Sequence, residues 1–383
     1  MNARHAYILL NSVPGIGPVT VKKLCDALGS PERIFEASAA ELSAIRGVGP
    51  KAVEAILSHP AEFSPEREEA AAARLGARIV TPLDEGYPAI FRTLHNPPLA
   101  LYIRGELKPS DAHALAIVGT RHMSAYGHAQ ADRLAFEVAK AGFTVVSGLA
   151  RGIDTVAHRA ALRAGGRTIA VIGSSLDKLY PPDNEPLAAE IAAGAGAVLS
   201  EFPLGTPPTR STFPYRNRLV AALSKGVLVV EAGLQSGALN TADQALEMGR
   251  SVMAVPGRID MEGAQGPNRL IQNGARLVQG ITDILKEFEF LFSASDRARI
   301  EQKIDPRASM PMTAEETAVV RALCKEPDLD IDTLVRKLNL PAARFLIVAM
   351  QLEMKRIVRR LPGRRLALVE EVRRWAADLP ENP

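Results

Sequence analysis

Five arginines, Arg121, Arg151, Arg210, Arg216 and Arg218, stand among glycines, serines and aromatic residues close behind runs of small and β-branched apolar residues. Gly119-Thr120-Arg121-His122-Met123-Ser124 follows the run Ala114 to Val118, and Ser147-Gly148-Leu149-Ala150-Arg151-Gly152-Ile153-Asp154 follows Phe143 to Val146. A Gly/Pro/Thr-rich loop carries Arg210 into Phe213-Pro214-Tyr215-Arg216-Asn217-Arg218, and Ser236-Gly237 opens a further helical stretch. Guanidinium groups, hydroxyls and free backbone amides are what phosphate oxygens need. Phe213 and Tyr215 add faces on which bases stack without regard to sequence, so the chemistry these residues offer is single-stranded nucleic-acid binding. Each has a plainer alternative. Arg216 and Arg218 are also suited to internal pairing with Glu201 or Glu231, Phe213 to capping its own helix in the core, and Asp154 to an N-cap or an arginine partner.

Catalytic patterns are missing from the sequence. Its seven histidines are scattered, without HExxH-type spacing and without a neighbouring cysteine, so no metal ligand set is expected. Neither a Walker A segment nor GxGxxG occurs, which argues against an NTPase or a dinucleotide dehydrogenase. The expectation is a binding protein with no cofactor and no reaction of its own.

The elements that must position these loops are legible from the apolar runs. Ala114 to Val118, Phe143 to Val146, Thr168 to Ile172, Ala197 to Ser200, Val227 to Val230 and Ser251 to Val255 alternate with Ala-rich helical stretches. Strands apolar throughout and separated by helices predict a parallel sheet covered on both faces, doubly wound and Rossmann-like. In such folds ligands bind beyond the carboxyl ends of the strands, where the arginines lie. Upstream, Val13-Pro14-Gly15-Ile16-Gly17-Pro18 and Ile45-Arg46-Gly47-Val48-Gly49-Pro50 form a near-repeat that predicts tandem helix-hairpin-helix units, with Lys22, Lys23 and Lys51 near the turns. Ala61 to Leu75 reads as a helix; Ala77 to Thr81 and Leu101 to Gly105 read as strands extending the sheet. Near the other end, three helices (Glu315 to Cys324, Ile331 to Leu338, Ala342 to Ile357) and a hairpin turning at Pro362-Gly363 predict a winged helix. The expected division is 1–75, helix-hairpin-helix (SAM-like); 76–292, extended Rossmann-like α/β; 293–309, linker; and 310–383, winged helix.

Composition permits this reading without demanding it. The chain has 383 residues, 47% of them hydrophobic, and a net charge of only +3, so charge placement rather than charge excess must select a polyanion. Residues 110–292 hold 17 Lys/Arg and 17 Asp/Glu, which leaves a neutral domain with one positive rim. Cys25 and Cys324 lie far apart, which disfavours a disulfide framework or a zinc site. No apolar run long enough to span a membrane is present and the N-terminus lacks a signal-peptide pattern, so a cytoplasmic location is expected.

The spaced motifs Ile117-Val118-Gly119-Thr120-Arg121, Ser147 to Asp154, His158, Tyr180-Pro181, Ser200-Glu201, Phe213-Pro214 with Arg216-Asn217-Arg218, Ser236-Gly237 and Val255-Pro256-Gly257 closely resemble the DprA/Smf family over about residues 80 to 285. Two departures are Ser174-Ser175, where that family usually has glycine, and Asn240 within Leu239-Asn240-Thr241, where Leu-Ile-Thr is usual. The resemblance implies a protein of natural transformation (competence) and DNA recombination that binds and protects single-stranded DNA, loads the RecA recombinase onto it and forms a homodimer through the Rossmann-like domain. It implies phosphate contacts at Arg121, the Ser147-Gly148 and Arg151-Gly152 turns and Arg210, with Phe213 beside them. The residues expected at the DNA are therefore Gly119, Arg121, Ser124, Ser147, Gly148, Arg151, Gly152, Arg210, Phe213, Arg216, Arg218, Ser236 and Gly237. Two other classes compete. One is a phosphoribohydrolase-like nucleotide-processing enzyme, whose PGGxGTxxE-type helix start the segment Ser236 to Thr241 lacks. The other is a duplex-DNA regulator acting through Lys355, Arg356, Arg359, Arg360, Arg364 and Arg365 of the winged helix.

Overall fold

The computed structural model describes residues 1–59, 63–288, 310, 312–327, 329–369, 372, 373 and 376. They form two compact units, Met1–Glu287 and Phe288–Pro383; the expected linker, 293–309, lies outside the described residues.

The first unit opens with six helices: α1 (Ala3–Ser12), α2 (Pro18–Leu28), α3 (Pro31–Glu36), α4 (Ala39–Ala44), α5 (Pro50–Leu57) and α6 (Pro65–Arg74). Proline at the first position of α2 and of α5 presets φ where no amide donor is needed, so each Gly-x-Gly-Pro segment is a turn leading directly into a helix. Leu10, Leu24, Ile34, Leu42 and Ile56 close a core of their own. This helical part is docked on the sheet rather than tethered to it. Ile8 of α1 packs in one apolar cluster with Tyr102, Leu149 and Ala170, while Arg4 ion-pairs with Glu69 and reaches Asp84 (3.1 Å) and the Ile79 carbonyl (2.7 Å).

The sheet comprises β1 (Ala77–Val80), β2 (Leu101–Gly105), β3 (Ala114–Val118), β4 (Thr144–Ser147), β5 (Thr168–Val171), β6 (Gly196–Ser200), β7 (Gly226–Val229), β8 (Ser251–Ala254) and β9 (Arg276–Leu277), in the order β1-β2-β6-β5-β4-β3-β7-β8-β9. From β6 to β9 all neighbours are parallel; β1 and β2 add an antiparallel margin. All residues of β3 to β7 are buried because helices lie on both faces. α8 (Ala125–Lys140) and α9 (Ile153–Arg163) pack on one face; α11 (Thr212–Leu223) and α12 (Gly237–Glu247) pack on the other. The short α7 (Ala89–Arg92) and α10 (Glu185–Glu190) precede α11, and α13 (Glu262–Gln272) and α14 (Ile281–Glu287) complete the unit. From β3 the chain winds outward through β4, β5 and β6, then returns to place β7 on the other side of β3. The order reverses there, and the loops leaving β3 and β7 diverge to opposite faces and open a crevice.

The second unit has helices Ala314–Lys325, Ile331–Leu338 and Ala342–Met354 and a small sheet β10 (Leu329–Asp330), β12 (Arg365–Leu368), β11 (Val358–Leu361) in that spatial order. Val319, Leu323, Leu334, Phe345, Leu352 and Leu366 form its core. This is the winged-helix arrangement. No helix among the described residues is long and apolar enough to cross a membrane.

Candidate nucleic-acid interface

A cleft of about 670 Å³ occupies the crevice beyond β3 and β7. Its walls are the loop Gly119 to His122 after β3, the turn at Gly148 and Ala150 after β4, the segment Gly233 to Ala238 at the start of α12, and Phe213, Arg216 and Asn217 from the first turns of α11. The fold thus gathers three glycine-rich loops from distant parts of the sequence at one edge.

Two glycines make the floor possible. Gly152 has φ +80°, and a Cβ there would lie 2.2 Å from the Thr120 carbonyl, so the turn after β4 nests against the loop after β3 only without a side chain. At Gly148 a Cβ would stand 2.5 Å from an Arg216 guanidinium nitrogen. That guanidinium is 5% exposed and lies under the loop, donating to the carbonyls of Gly148 (2.8 Å) and Val171. Asp154, also buried, accepts from the amides of Gly148 (3.1 Å) and Ala150 (3.4 Å). Burial pushes the Asp154 carboxyl up, against the pull of Arg216; the same burial brings Arg216 down to about 10, so it stays a cation at neutral pH. Behind them His158 shares a hydrogen bond with Thr168 Oγ1 (2.7 Å), and burial together with Arg216 holds it down to about 3.

The mouth is built differently. Arg121 is exposed, and its guanidinium lies 4.9 Å from the centroid of the Phe213 ring; the Tyr180 ring centroid is 5.9 Å from that of Phe213. Arg121, Phe213 and Tyr180 therefore form a contiguous cation–aromatic ledge at the cleft edge. Arg210 is exposed on a turn closed by reciprocal hydrogen bonds between Thr209 and Thr212 (3.0 and 3.2 Å), and it has no side-chain partner among the described residues. Ser236 Oγ caps α12 by accepting from the Ala238 amide (3.3 Å), and Gly237 lies beside it.

Other expected residues lie apart from this surface. Arg218 is buried in an ion pair with Glu201, resolving the choice between Glu201 and Glu231; its guanidinium also covers the Tyr215 ring at 4.3 Å. Burial pushes the Glu201 carboxyl up to about 7 in spite of Arg218. Glu231 instead accepts from the amide (3.0 Å) and hydroxyl (3.2 Å) of Ser124, which places Ser124 behind the wall of the cleft. Ser147 is fully buried, its hydroxyl donating to the Ile117 carbonyl (2.6 Å), so it fixes the loop from inside. Arg151 is exposed but paired with Asp183 at 2.7 Å. Sequence reasoning missed two participants. Tyr180 occurs in the family motif, and an exposed aromatic in a loop beyond a strand was a usable signal. Asn217 donates to the Gly237 carbonyl (3.2 Å) and to Asn240 Oδ1 (3.2 Å), so the Asn240 departure supplies an acceptor that ties α11 to α12.

Among the described residues no group of three or more His, Cys, Asp or Glu side chains could hold a metal ion. In the winged helix Lys355 pairs with Glu316 (2.8 Å), Arg360 with Glu353 (3.1 Å) and Arg364 with Asp332 (3.5 Å), and Arg365 donates to the Pro362 carbonyl (3.2 Å).

The family model described as DNA recombination-mediator protein A matches residues 78–289, the segment that builds the cleft. The chain belongs to the DNA recombination-mediator protein A family. It is therefore a DNA-processing protein of the recombination class. Flanking matches are the SAM-like helix-hairpin-helix tandem over 7–59 and the DprA winged helix domain over 303–364. Protein Smf of Synechocystis is 38% identical over 294 residues, spanning 74% of this chain and 72% of that protein. The X-ray structure of DNA processing protein A from Streptococcus pneumoniae superposes with a TM-score of 0.63 at 32% identity, covering 75% of this chain and 98% of that one. DNA processing protein A from Helicobacter pylori, described by its single-stranded DNA binding mode, gives a TM-score of 0.50 at 32% identity, over 57% of this chain and 97% of that one.

Proposed function

We propose that this chain binds single-stranded DNA in the switch-point cleft, with Arg121 and Arg210 on phosphates, Phe213 and Tyr180 under bases, and the amides around Gly119, Gly148, Gly152, Ser236 and Gly237 lining the path. Arg216, Ser147 and Ser124 hold those loops in shape, Arg218 anchors α11, and Arg151 stands at the outer rim. The observation that carries this reading is the cation–aromatic ledge of Arg121 over Phe213, set at the mouth of a cleft walled by glycine-rich loops. A stacking face beside an exposed cation suits unpaired bases on a charged backbone, and a duplex offers no such faces. The single-stranded DNA binding described for the Helicobacter pylori protein supports it.

The finer role follows the family: a cytoplasmic homodimer, joined through the Rossmann-like domain, that shields incoming DNA and hands it to RecA without chemistry of its own. Asp154, the buried carboxylate of the cleft, already receives two amides and faces Arg216, which supports a scaffolding rather than an acid–base role. The division into 1–75, 76–292, 293–309 and 310–383 is proposed as the functional one.

Fluorescence anisotropy with a labelled oligothymidine, its duplex counterpart and a range of salt concentrations tests the reading. Single-stranded DNA should bind more tightly than duplex, and Arg121→Ala and Arg210→Ala should each weaken it. Equal binding of both forms, or unchanged affinity and salt slope in both variants, overturns it. Release of free base from nucleoside monophosphates would replace it with the enzyme reading.

A further inference from the structure

The opposite end of the sheet, where the strands begin, holds a second cavity of about 630 Å³. Its floor is apolar, made by Tyr87, Ile90, Leu107, Ile169 and Leu223. Its wall carries Lys225 and Arg250. These residues immediately precede β7 and β8, and the residues that follow them, Gly226 and Ser251, are register partners on parallel strands. The two cations thus start from neighbouring strands, with backbones about 4.8 Å apart. Neither side chain has a hydrogen bond or ion pair among the described residues, and Nε of Arg250 is buried without an acceptor.

The other charged groups around the cavity have different positions or partners. Arg92 donates to the Pro82 (3.2 Å) and Asp84 (3.0 Å) carbonyls, and Lys108 pairs with Glu106 at 3.6 Å. Asp111 is held by Arg167 and Thr144, each at 2.7 Å, and Glu85 is exposed. Beyond Arg250 an adjoining pocket brings His95 and Glu247 near. Two adjacent cations without counter-ions, one with a buried unsatisfied donor, are costly to a fold unless an anion answers them. The floor specifies the rest of that anion. The hydroxyls of Tyr87 and Ser224 both donate to backbone carbonyls (2.8 and 3.0 Å), so neither is free to serve a sugar or a base edge. An apolar body carrying one compact anionic group fits.

We propose that this cavity is a binding site for a carboxylate borne on a bulky apolar group, with Arg250 and Lys225 holding the carboxylate and the Tyr87–Leu107–Leu223 floor taking the apolar part. A free aryl- or branched-alkyl carboxylic acid and the C-terminus of a polypeptide ending in a large apolar residue share this chemistry. The site stands at the far edge of the sheet from the DNA cleft and does not depend on the DNA reading.

Isothermal titration of the full chain with 3-phenylpropionate and with an N-acetylated dipeptide ending in phenylalanine, each beside its uncharged amide, tests it. At least one acid should bind saturably, with its amide about tenfold weaker or worse, because the amide cannot answer the two cations. Arg250→Gln and Lys225→Gln should each weaken the acid by about tenfold while leaving single-stranded DNA affinity within about twofold. The tighter of the two acids identifies the source. No saturation by either acid up to about 10 mM, equal binding of acid and amide, or an acid affinity untouched by both substitutions overturns the site. So does displacement of the acid by an oligonucleotide, which would assign the cations to phosphate. The acid–amide contrast is made on the unaltered chain and stands even if a variant folds poorly.

Discussion

Arg121→Ala and Arg218→Ala should fail in opposite ways, although both arginines stand among the residues expected at the DNA. Arg121 is exposed above the Phe213 ring, so its loss should remove one proposed charge-assisted phosphate contact, worth about 1.5–3 kcal/mol. Affinity for a single strand should drop about 10- to 150-fold. The slope of log affinity against log salt should become shallower by about 0.7, the share of one phosphate on a single strand. Urea unfolding should be unchanged within about 0.5 kcal/mol, as for an ordinary surface substitution. Arg218 and Glu201 are 4% and 5% exposed, and removing one partner of a buried pair costs about 3–5 kcal/mol. The Glu201 carboxyl, already pushed up to about 7, should take up a proton once Arg218 is gone, which places the loss at about 3 kcal/mol, the low end of that range. The salt slope of whatever Arg218→Ala protein remains folded should equal that of the wild type. Anisotropy across a salt series and urea unfolding of both variants decide the matter. An Arg218→Ala protein of wild-type stability with a shallower salt slope would refute the assignment, because it would mean that this guanidinium faces the strand.

Three further outcomes are expected. Phe213→Ala should weaken binding by about 1–3 kcal/mol through loss of a stacking face, with the salt slope intact, and an oligonucleotide made abasic along its length should no longer distinguish wild type from variant. Gly152→Ala should destabilise the chain by more than about 1 kcal/mol in urea unfolding, since the position combines φ +80° with a 2.2 Å approach to the Thr120 carbonyl; an unaffected midpoint would show that the loop can relax. His158 is held near 3 in the fold against 6.5 when unfolded, so its contribution is complete above pH 6.5 and declines toward pH 3, as only the unfolded chain takes up the proton. Stability should accordingly fall by about 1.4 kcal/mol per pH unit below 6.5 from this residue, and His158→Gln should flatten that limb. A variant with the wild-type pH slope would show that His158 is protonated in the folded state.

The sheet was legible where burial alone determines it. Ala114 to Val118, apolar throughout, is β3 to the residue, and the other runs are offset by about one residue because ladder pairing, not hydrophobicity, decides where a strand ends. The antiparallel pairing of β2 with β6 was not legible, since it joins Tyr102 to Ser200 through contacts no local pattern records. Nor was the docking of the helical part, where Arg4 meets Asp84 across 80 residues. The hardest distinction was between Arg216 and Arg218. On α11 every residue from Arg216 to Ala222 is buried, so the helix has no polar face to reveal a direction. Two positions apart on a helix, these arginines point to opposite sides: one toward Gly148 and Val171, the other toward Glu201.

This geometry changes where the positive potential of the cleft comes from. Counting rim arginines assigns it to five surface charges within residues 110–292, whose total is zero. The structure removes Arg218 from that set by pairing it with Glu201 and offsets Arg151 with Asp183, leaving Arg121 on the cleft wall and Arg210 exposed on the turn before α11. Arg216 contributes from beneath, lining the cleft while its Nη1 is held by two carbonyls. Asp154 opposes that charge, but its carboxylate points into the amides of Gly148 and Ala150, so those dipoles answer it locally. A buried, prepositioned cation is screened by salt far less than an exposed one. On the proposed reading, a single strand lying between the buried Arg216 guanidinium and the exposed Arg121 should therefore keep a salt-resistant component of affinity. That component should disappear with Arg216→Met at ionic strengths where Arg121→Ala no longer matters, and its persistence would show that the floor charge does not reach the strand.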